Sequence, residues 1–386
     1  MRVLVVIGGF FPAKQYGGPP VSINNLCSLL ASEEFYIITK NHDLGESKAF
    51  DEIHAGWNDR GNCKVAYLSD RQFSSAKLLS SLIDEVQPDF IYLQSLFHSC
   101  TMRCLLLAKM KQLPVLLAPR GELCRGAMRK KYKKLPYILL LKASSLVKGI
   151  YFQSTSPDET VGIRKYFGRS QKVFDLENVA SLPKETPSAA IKKPGTARIV
   201  FLSRIVPKKN LLFALSCLQE VRGSVQFDIY GPIEEPNYYK RCVECSQKLP
   251  ANITVSYRGV ISQCESQQVF SGYDLFLFPT QSENFGHVIA EALSAGCPVA
   301  ISDQTPWIFP KSDEAGCALP LNEKTPFIEA VQTIVDSDHS AMERKRLAAK
   351  AFFKRRAQFE LQQQKYLDAF RLIATSDSGA AAPDQR

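Results

Sequence analysis

Between Tyr273 and Asp303 the chain spells a strand, a loop, a helix and a second strand, the unit from which parallel sheets are built. The apolar run from Tyr273 to Phe278 stops at Pro279-Thr280, and Ser282-Glu283 lead into the turn Asn284-Phe285-Gly286. Apolar residues then recur at helical spacing to Leu293, Gly296 ends the helix, and Pro298-Val299-Ala300-Ile301-Ser302 reads as the next strand. Two carboxylates bracket the helix start, Glu283 before the first turn and Glu291 eight residues on. That spacing is a little over two helical turns and predicts that they point roughly the same way. The backbone N–H groups of Asn284, Phe285 and Gly286 lie beside Glu283, ready for an anionic or hydroxyl-rich ligand. Alone, Glu283 reads as a helix cap and Glu291 as a solvated helix residue. Their pairing with Asn-Phe-Gly in a glycine-stopped unit is what points to a ligand.

The same alternation runs the length of the chain. At 386 residues it is too long for one ordinary core and fits two domains of about 150–200 residues. Residues 1–180 predict strands at 3–7, 35–39, 63–68, 90–93, 115–118 and 150–153, with helices at 21–31, 75–85, 101–111 and 159–166. The first strand runs into a loop with Gly8-Gly9 and Gly17-Gly18, where backbone amides can approach a phosphate closely. The spacing is not the G-x-G-x-x-G dinucleotide fingerprint, and Pro19-Pro20 remove two amides from the following turn. Residues 181–196, rich in Pro, Ser, Lys and Ala, read as a linker. A second set occupies 197–350, with strands at 197–202, 226–230, 254–257, 275–278 and 299–302. Helical sequence extends to residue 373, and residues 375–386 read as a disordered tail. The fold class is α/β, two Rossmann-like doubly wound domains.

Charge adds a partner to this outline. The net charge is +10, and from Leu123 to Pro157 there is no acid but Arg125, Arg129, Lys130, Lys131, Lys133, Lys134, Lys142 and Lys148. Leu135-Pro136-Tyr137-Ile138-Leu139-Leu140-Leu141 lies inside this segment. Such a composition fits a helix lying on an anionic membrane surface, and equally the solvated basic flank of a core helix. No nucleic-acid motif accompanies the charge. No apolar run reaches the roughly 20 residues of a membrane span, and Met1-Arg2-Val3-Leu4 reads as a first strand rather than a signal peptide. The 11 cysteines are scattered, with Cys242-x-x-Cys245 the close doublet, and read as reduced thiols of a cytoplasmic protein.

One further segment carries charge at a strand end. Phe201-Leu202-Ser203-Arg204-Ile205-Val206-Pro207-Lys208-Lys209-Asn210 places a guanidinium fork and, five residues on, an ammonium where a strand of the second domain stops. Taken with Glu283 and Glu291, it resembles the signature of retaining glycosyltransferases of the group 1 (family 4) type. The match continues through Ser302-Asp303-Gln304-Thr305-Pro306-Trp307, a form seen in one branch of that family, and Glu177-Asn178-Val179 is similar to the family's first-domain end. The resemblance implies the GT-B fold, two Rossmann-like domains facing each other across a cleft, with a last helix at 351–374 crossing back to the first.

It also implies roles. Arg204 and Lys209 would neutralise the diphosphate of a nucleoside-diphosphate sugar in place of a metal ion, with Ser203 and Asn210 where glycine is usual. Glu283 would stand by the transferred sugar, Glu291 by the ribose, and the amides of Asn284, Phe285 and Gly286 by sugar and phosphate. Tyr230-Gly231-Pro232 and Gly259-Val260 would frame the base, and Gly17 and Gly18 would face the diphosphate. The family's first-domain His is replaced by Pro119-Arg120-Gly121-Glu122. His98 is then a candidate substitute, Arg120 an acceptor or phosphate contact, and Glu122 its orienting partner; His287 reads as packing. The implied reaction is metal-independent, retaining transfer of the sugar to a hydroxyl of a glycan or lipid-linked oligosaccharide. It needs no cofactor beyond the nucleotide-sugar, and family association sets it in surface polysaccharide or lipopolysaccharide assembly. The resemblance favours the membrane reading of the basic segment, on the inner face of the cytoplasmic membrane. The alternatives are a GT-B nucleotide-sugar epimerase and a silent nucleotide-sugar-binding or scaffold protein.

Overall fold

Strands covered on both faces carry continuous apolar runs, and the central strands here do so: Phe90–Gln94, Leu275–Phe278 and Val299–Ser302 are buried at every position. The computed structural model describes residues 1–124, 127–128, 131–187, 190–310 and 312–376, with Lys131 and Lys133 described by backbone alone. Contacts divide the chain into two units, Met1–Val179 with the chain from Phe359, and Ala180–Gln358.

The first unit holds β1 (Arg2–Val6), α1 (Gly18–Leu29), β2 (Glu34–Lys40), β3 (Trp57–Asp59), β4 (Lys64–Leu68), α2 (Asp70–Phe73) and α3 (Ala76–Val86). There follow β5 (Phe90–Gln94), α4 (Thr101–Met110), β6 (Val115–Ala118), α5 (Lys131–Ala143), β7 (Tyr151–Ser154), α6 (Pro157–Phe167) and β8 (Lys172–Asp175). Its sheet runs β3-β4-β2-β1-β5-β6-β7-β8 and is parallel except where β3 meets β4. The second unit holds β9 (Thr196–Leu202), α7 (Leu211–Leu218), β10 (Ser224–Tyr230), α8 (Pro236–Ser246), β11 (Ile253–Gly259), α9 (Gln263–Ser271) and β12 (Leu275–Phe278). It continues through α10 (His287–Ser294), β13 (Val299–Ser302), β14 (Gly316–Leu319), α11 (Thr325–Asp336) and α12 (His339–Ala357). Its sheet, β11-β10-β9-β12-β13-β14, is parallel throughout. In both sheets the strand order reverses once, at β1/β5 and at β9/β12. At such switch points the loops leaving the carboxyl ends part and open a crevice.

The strands that sequence pattern did not reveal, β3, β8 and β14, are all outer strands of three or four residues. Half-exposed and short, they have no apolar run to announce them. The described part of the stretch read as a linker, 181–187 and 190–196, belongs to the second unit. Lys184 N donates to Gln267 Oε1 at 2.8 Å, Gln267 Nε2 donates to Leu182 O at 3.0 Å, and Lys192 Nζ donates to the carbonyls of Val335 and Ser337. The stretch is extended, its backbone finds partners on α9, and its Lys192 side chain bonds the end of α11 and the residue after it.

Helical sequence beyond residue 325 breaks twice, at extended Ser337 and at left-handed Gln358 (φ 41°). The second break releases α13 (Phe359–Ala374), which packs in the first unit with Phe370 4.9 Å from the Phe90 ring. Of the segment read as a disordered tail, Thr375 and Ser376 close α13 by backbone bonds, and 377–386 lie outside the described residues. A buried polar chain also joins α13 to the sheet. Tyr366 Oη donates to Glu177 O (2.9 Å) and accepts from Gln153 Nε2 (2.9 Å), and Tyr92 Oη donates to Gln153 Oε1. Tyr366→Phe removes the hydroxyl that serves both Glu177 O and Gln153 Nε2, where Tyr366 is 2% exposed, so it should destabilise the protein by about 1–2 kcal/mol. Thermal unfolding measures this, and an unchanged transition would refute the role of that hydroxyl.

Candidate active site

Of the candidate residues of the second unit, Arg204, Lys209, Glu283 and the Asn284-Phe285-Gly286 turn lie on the loops that leave β9 and β12, the strands flanking its switch point. After β9, Ser203 N donates to Tyr230 O (3.0 Å) and Ile205 N to Pro232 O (2.8 Å). A single 3-10 turn (Pro207–Lys209) follows and ends at Asn210 with φ 64°. Asn tolerates the left-handed region, so the turn ends there without a glycine. This turn brings Lys209 back over the sheet, 9% exposed, with Nζ 5.4 Å from the Phe278 ring centroid and bonded to Glu283 Oε1. Burial lowers the Lys209 pKa; Glu283 opposes that shift, while Arg204 and Lys208 add to it through like charge.

The loop after β12 is fastened to the same turn. Gln281 N donates to Lys208 O at 2.8 Å and Thr280 Oγ1 to the same carbonyl at 3.3 Å. Ser302 Oγ, on β13, donates to Thr280 O, and Glu283 N donates to Gln304 O at 3.1 Å. Glu283 therefore precedes α10 in a loop of its own, three residues before the cap Gly286 (φ 81°). Helical periodicity does not govern its direction, and the expected alignment of Glu283 with Glu291 has no basis in the helix. The turn between them is held by Trp307, 3% exposed, whose Nε1 donates to Phe285 O. Asn284 is exposed, and His287 packs its ring 4.7 Å from that of Phe285.

Glu291 sits on α10, 5% exposed, and accepts from Gln263 Nε2 at 3.3 Å. The same Gln263 nitrogen donates to Ser181 Oγ at 3.1 Å, on the strap along this unit. Burial raises the Glu291 pKa to about 7, moderated by bonds from Ser266 and Gln263 and by the charge of Lys184. The base-framing candidates are built differently from each other. Gly231 (φ 130°) has both backbone groups engaged, N to Gly259 O and O from Tyr257 Oη, each at 2.9 Å. A Cβ there would fall 1.9 Å from Ser203 O, so its hydrogen allows the β9 and β10 loops to touch. Val260 is open, at 47% exposure. Arg204 meets Glu234 at 3.1 Å, a partner that no motif in the sequence signalled.

The other candidates belong to the first unit. Gly17 (φ 71°) caps α1, with Gly18 its first residue and the two prolines in its first turn. His98 leaves β5 at that unit's switch point, its ring edge-on to Phe73 at 5.2 Å and Nδ1 3.2 Å from Cys100 Sγ. A Cβ on Gly8 would lie 2.7 Å from its Nε2, so the imidazole rests against the loop leaving β1. Arg120 (φ 54°) is turned inward, Nε donating to Gln94 Oε1 (2.6 Å), NH2 to Tyr92 Oη (3.3 Å) and NH1 to Asn178 Oδ1. Each of its nitrogens thus meets a protein acceptor, which corrects the expectation of a guanidinium held out to a ligand. Nor does Glu122 orient it. That carboxylate accepts from Ser95 Oγ and Leu96 N, both at 2.7 Å, and burial raises its pKa.

Of the basic segment, Arg125, Arg129 and Lys130 lie outside the described residues. Lys134 Nζ turns inward to the carbonyls of Glu122 (3.0 Å) and Ala127 (3.2 Å). On α5, Ile138 and Leu141 enter the core while Leu139 and Leu140 are 62% and 54% exposed. No helix among the described residues is long and apolar enough to cross a membrane.

Residues 196–337 match the sequence profile of the family described as glycosyl transferases group 1. Over 125 residues the chain is 28% identical to the sulfoquinovosyl transferase SQD2 of Arabidopsis thaliana, a stretch covering 32% of this chain and 23% of that protein. Over 138 residues it is 25% identical to the UDP-N-acetylglucosamine–peptide N-acetylglucosaminyltransferase GtfA subunit of Streptococcus pneumoniae, covering 35% and 26%. The matched stretches thus span about a quarter of each curated relative. Among solved structures, sucrose-phosphate synthase from Thermosynechococcus elongatus aligns with a TM-score of 0.67 at 15% identity, over 97% of this chain and 100% of that one. Anabaena HepE in complex with UDP and glucose aligns with a TM-score of 0.68 at 14% identity, over 96% and 100%. At these identities the likeness is one of fold.

The pKa of Glu291 carries a prediction. The folded value, about 7, lies above the ordinary 4.5, so ionising Glu291 opposes folding. The stability it contributes is complete below about pH 4.5 and is lost as pH rises through 7. Glu291→Gln should therefore be more stable than the native protein at pH 8 by about 2–3 kcal/mol, with little difference near pH 5. Thermal unfolding at the two pH values reads this; an equal effect at both would contradict it.

Proposed function

We propose that this chain, whose residues 196–337 match the profile of the glycosyl transferases group 1 family and whose fold is GT-B, is a retaining glycosyltransferase. It moves a sugar from a nucleoside-diphosphate donor to a hydroxyl of a glycan or lipid-linked oligosaccharide. The observation that carries this reading is the meeting of Arg204, Lys209 and Glu283 at the β9/β12 switch point, where parallel α/β sheets bind ligands.

The chemistry follows from charge. As the glycosidic bond breaks, negative charge gathers on the departing diphosphate and positive charge on the sugar carbon. Arg204 and Lys209 face the first and the Glu283 carboxylate the second. Because Lys209 is withdrawn from water, its field on a nearby phosphate is stronger than that of a surface lysine. The two cations supply the charge that a metal ion supplies elsewhere, so transfer proceeds without one. Glu291 takes the ribose hydroxyls, with Gln263 fixing the carboxylate. Gly231 and Val260 frame the base, and the Asn284-Phe285-Gly286 turn reaches sugar and phosphate. UDP is the nucleotide to try first, given the likeness to HepE in complex with UDP-glucose. In the first unit, the amides at Gly17 and Gly18 suit a phosphate, and His98 replaces the missing histidine. The exposed leucines of α5 and their neighbouring cations rest on an anionic membrane surface at the inner face of the cytoplasmic membrane. That position suits an acceptor of surface polysaccharide or lipopolysaccharide assembly.

Melting-point screening with UDP-, GDP- and ADP-sugars comes first, since a ligand of the native state raises the transition. Glu283→Gln keeps a hydrogen-bond acceptor for Lys209 but removes its counter-charge, so it should lower the melting point and, assayed at a temperature where the variant is folded, lower kcat about a hundredfold or more. The anomeric configuration of the product, read by NMR, should match that of the donor. A native protein that transfers no sugar, or a Glu283→Gln variant of full activity, would overturn the assignment. The membrane contact has its own test. Vesicles rich in anionic lipid should retain the protein at low salt, and the triple variant Lys130→Ala, Lys131→Ala, Lys133→Ala should bind more weakly. Equal retention of both excludes it.

A further inference from the structure

Of the two cations of the grip, Arg204 is the open one, with a side chain 41% exposed against 11% for Lys209. Each has an acid. For Lys209 it is Glu283, whose charge a buried ammonium requires. Arg204 has no such requirement at the surface, yet Glu234 is built in beside it.

The placement is fixed by backbone. Ile205 and Ile233 form a parallel β-bridge, extending β9 and β10 past their ends. Ile205 N donates to Pro232 O at 2.8 Å, and the absent side chain of Gly231 lets the two loops touch. Arg204 precedes this bridge and Glu234 follows it, so the two side chains leave from neighbouring points. Both Glu234 oxygens then sit on one guanidinium nitrogen, NH1, at 3.2 and 3.1 Å. Nε and NH2 stand outside that contact. Glu234 thus leaves part of the fork for a phosphate while placing a negative charge against it.

We infer that Glu234 is a fixed counter-charge that weakens the hold of Arg204 on the nucleoside diphosphate and so sets how readily that product leaves. The inference rests on the donor-binding reading of Arg204 given above. Once its sugar has gone, the nucleoside diphosphate carries one more ionisable oxygen than the donor did. A grip of undiminished positive charge therefore binds product more tightly than donor, and release becomes the slow step. A carboxylate 3.1 Å from the same guanidinium opposes that extra charge by repulsion. Because the pair is exposed, the effect is a few-fold and falls with salt.

Glu234→Gln removes the charge and keeps the shape. Calorimetric titration of the native protein and the variant with UDP, GDP and ADP compares the nucleotide that the native protein binds. At low salt the variant's Kd should be about three- to tenfold lower, with the gap closing at high salt. In turnover, KM for the donor and kcat should fall together while inhibition by the free nucleotide deepens. Glu234→Ala should tighten binding as well, because the charge matters and the hydrogen bond does not. An unchanged or raised Kd in both variants, with native melting points, overturns the inference and leaves the donor site standing. A native protein that binds none of the three nucleotides overturns both.

Discussion

An ammonium withdrawn from water needs acceptors or an anion beside it: Lys192 takes backbone carbonyls, and Lys209 takes Glu283 from the loop after another strand. Removing each ion from water costs several kcal/mol, which mutual attraction repays only in good geometry. The pair is therefore a weak source of stability but a strict constraint on position. It holds only if the turn after β9 and the loop after β12 keep their places. Lys208 O, bonded by Gln281 N and Thr280 Oγ1, ties those two loops, and Ser302 and Gln304 tie the second to the loop after β13. The charge is thus held in place by the protein's own backbone contacts.

The first unit uses buried polar groups in a different way. Its interior chain runs from Tyr366 on α13 through Gln153 and Tyr92 to Arg120, and on to Asn178, which also accepts from Ser22 Oγ at 2.8 Å. One arginine at the end of β6 thereby joins α1, β5 and the segment that closes the unit. An arginine suits this because its planar fork reaches several acceptors at once, where an imidazole reaches two. His98 lies apart from this network, on the loop beside Gly8 at that unit's switch point.

Much of the architecture was legible in the residues. Apolar runs such as Leu275–Phe278 and Val299–Ser302 marked the inner strands, because a strand buried on both faces has no room for polar residues. Outer strands such as Trp57–Asp59 carry no such pattern. Within the site, Glu283, Arg204 and Lys209 stood out by resemblance to a family signature, whereas Glu234, Gln263 and the indole N–H of Trp307 did not. Those three act through contacts between segments far apart in sequence, Gln263 with Ser181 and Glu291, Trp307 with Phe285.

What the sequence by itself determined is therefore local: which stretches are strands or helices, that they alternate, and which charged residues end them. Periodicity and turn chemistry act over a few residues, so these features are written where they are used. What the tertiary structure alone decided is partnership: that Glu283 faces Lys209 instead of following the helix that holds Glu291, that Arg120 turns inward, and that Glu234 stands against Arg204. A side chain's partner depends on strand order and on the loops that the switch point brings together, and no spacing within one segment encodes it.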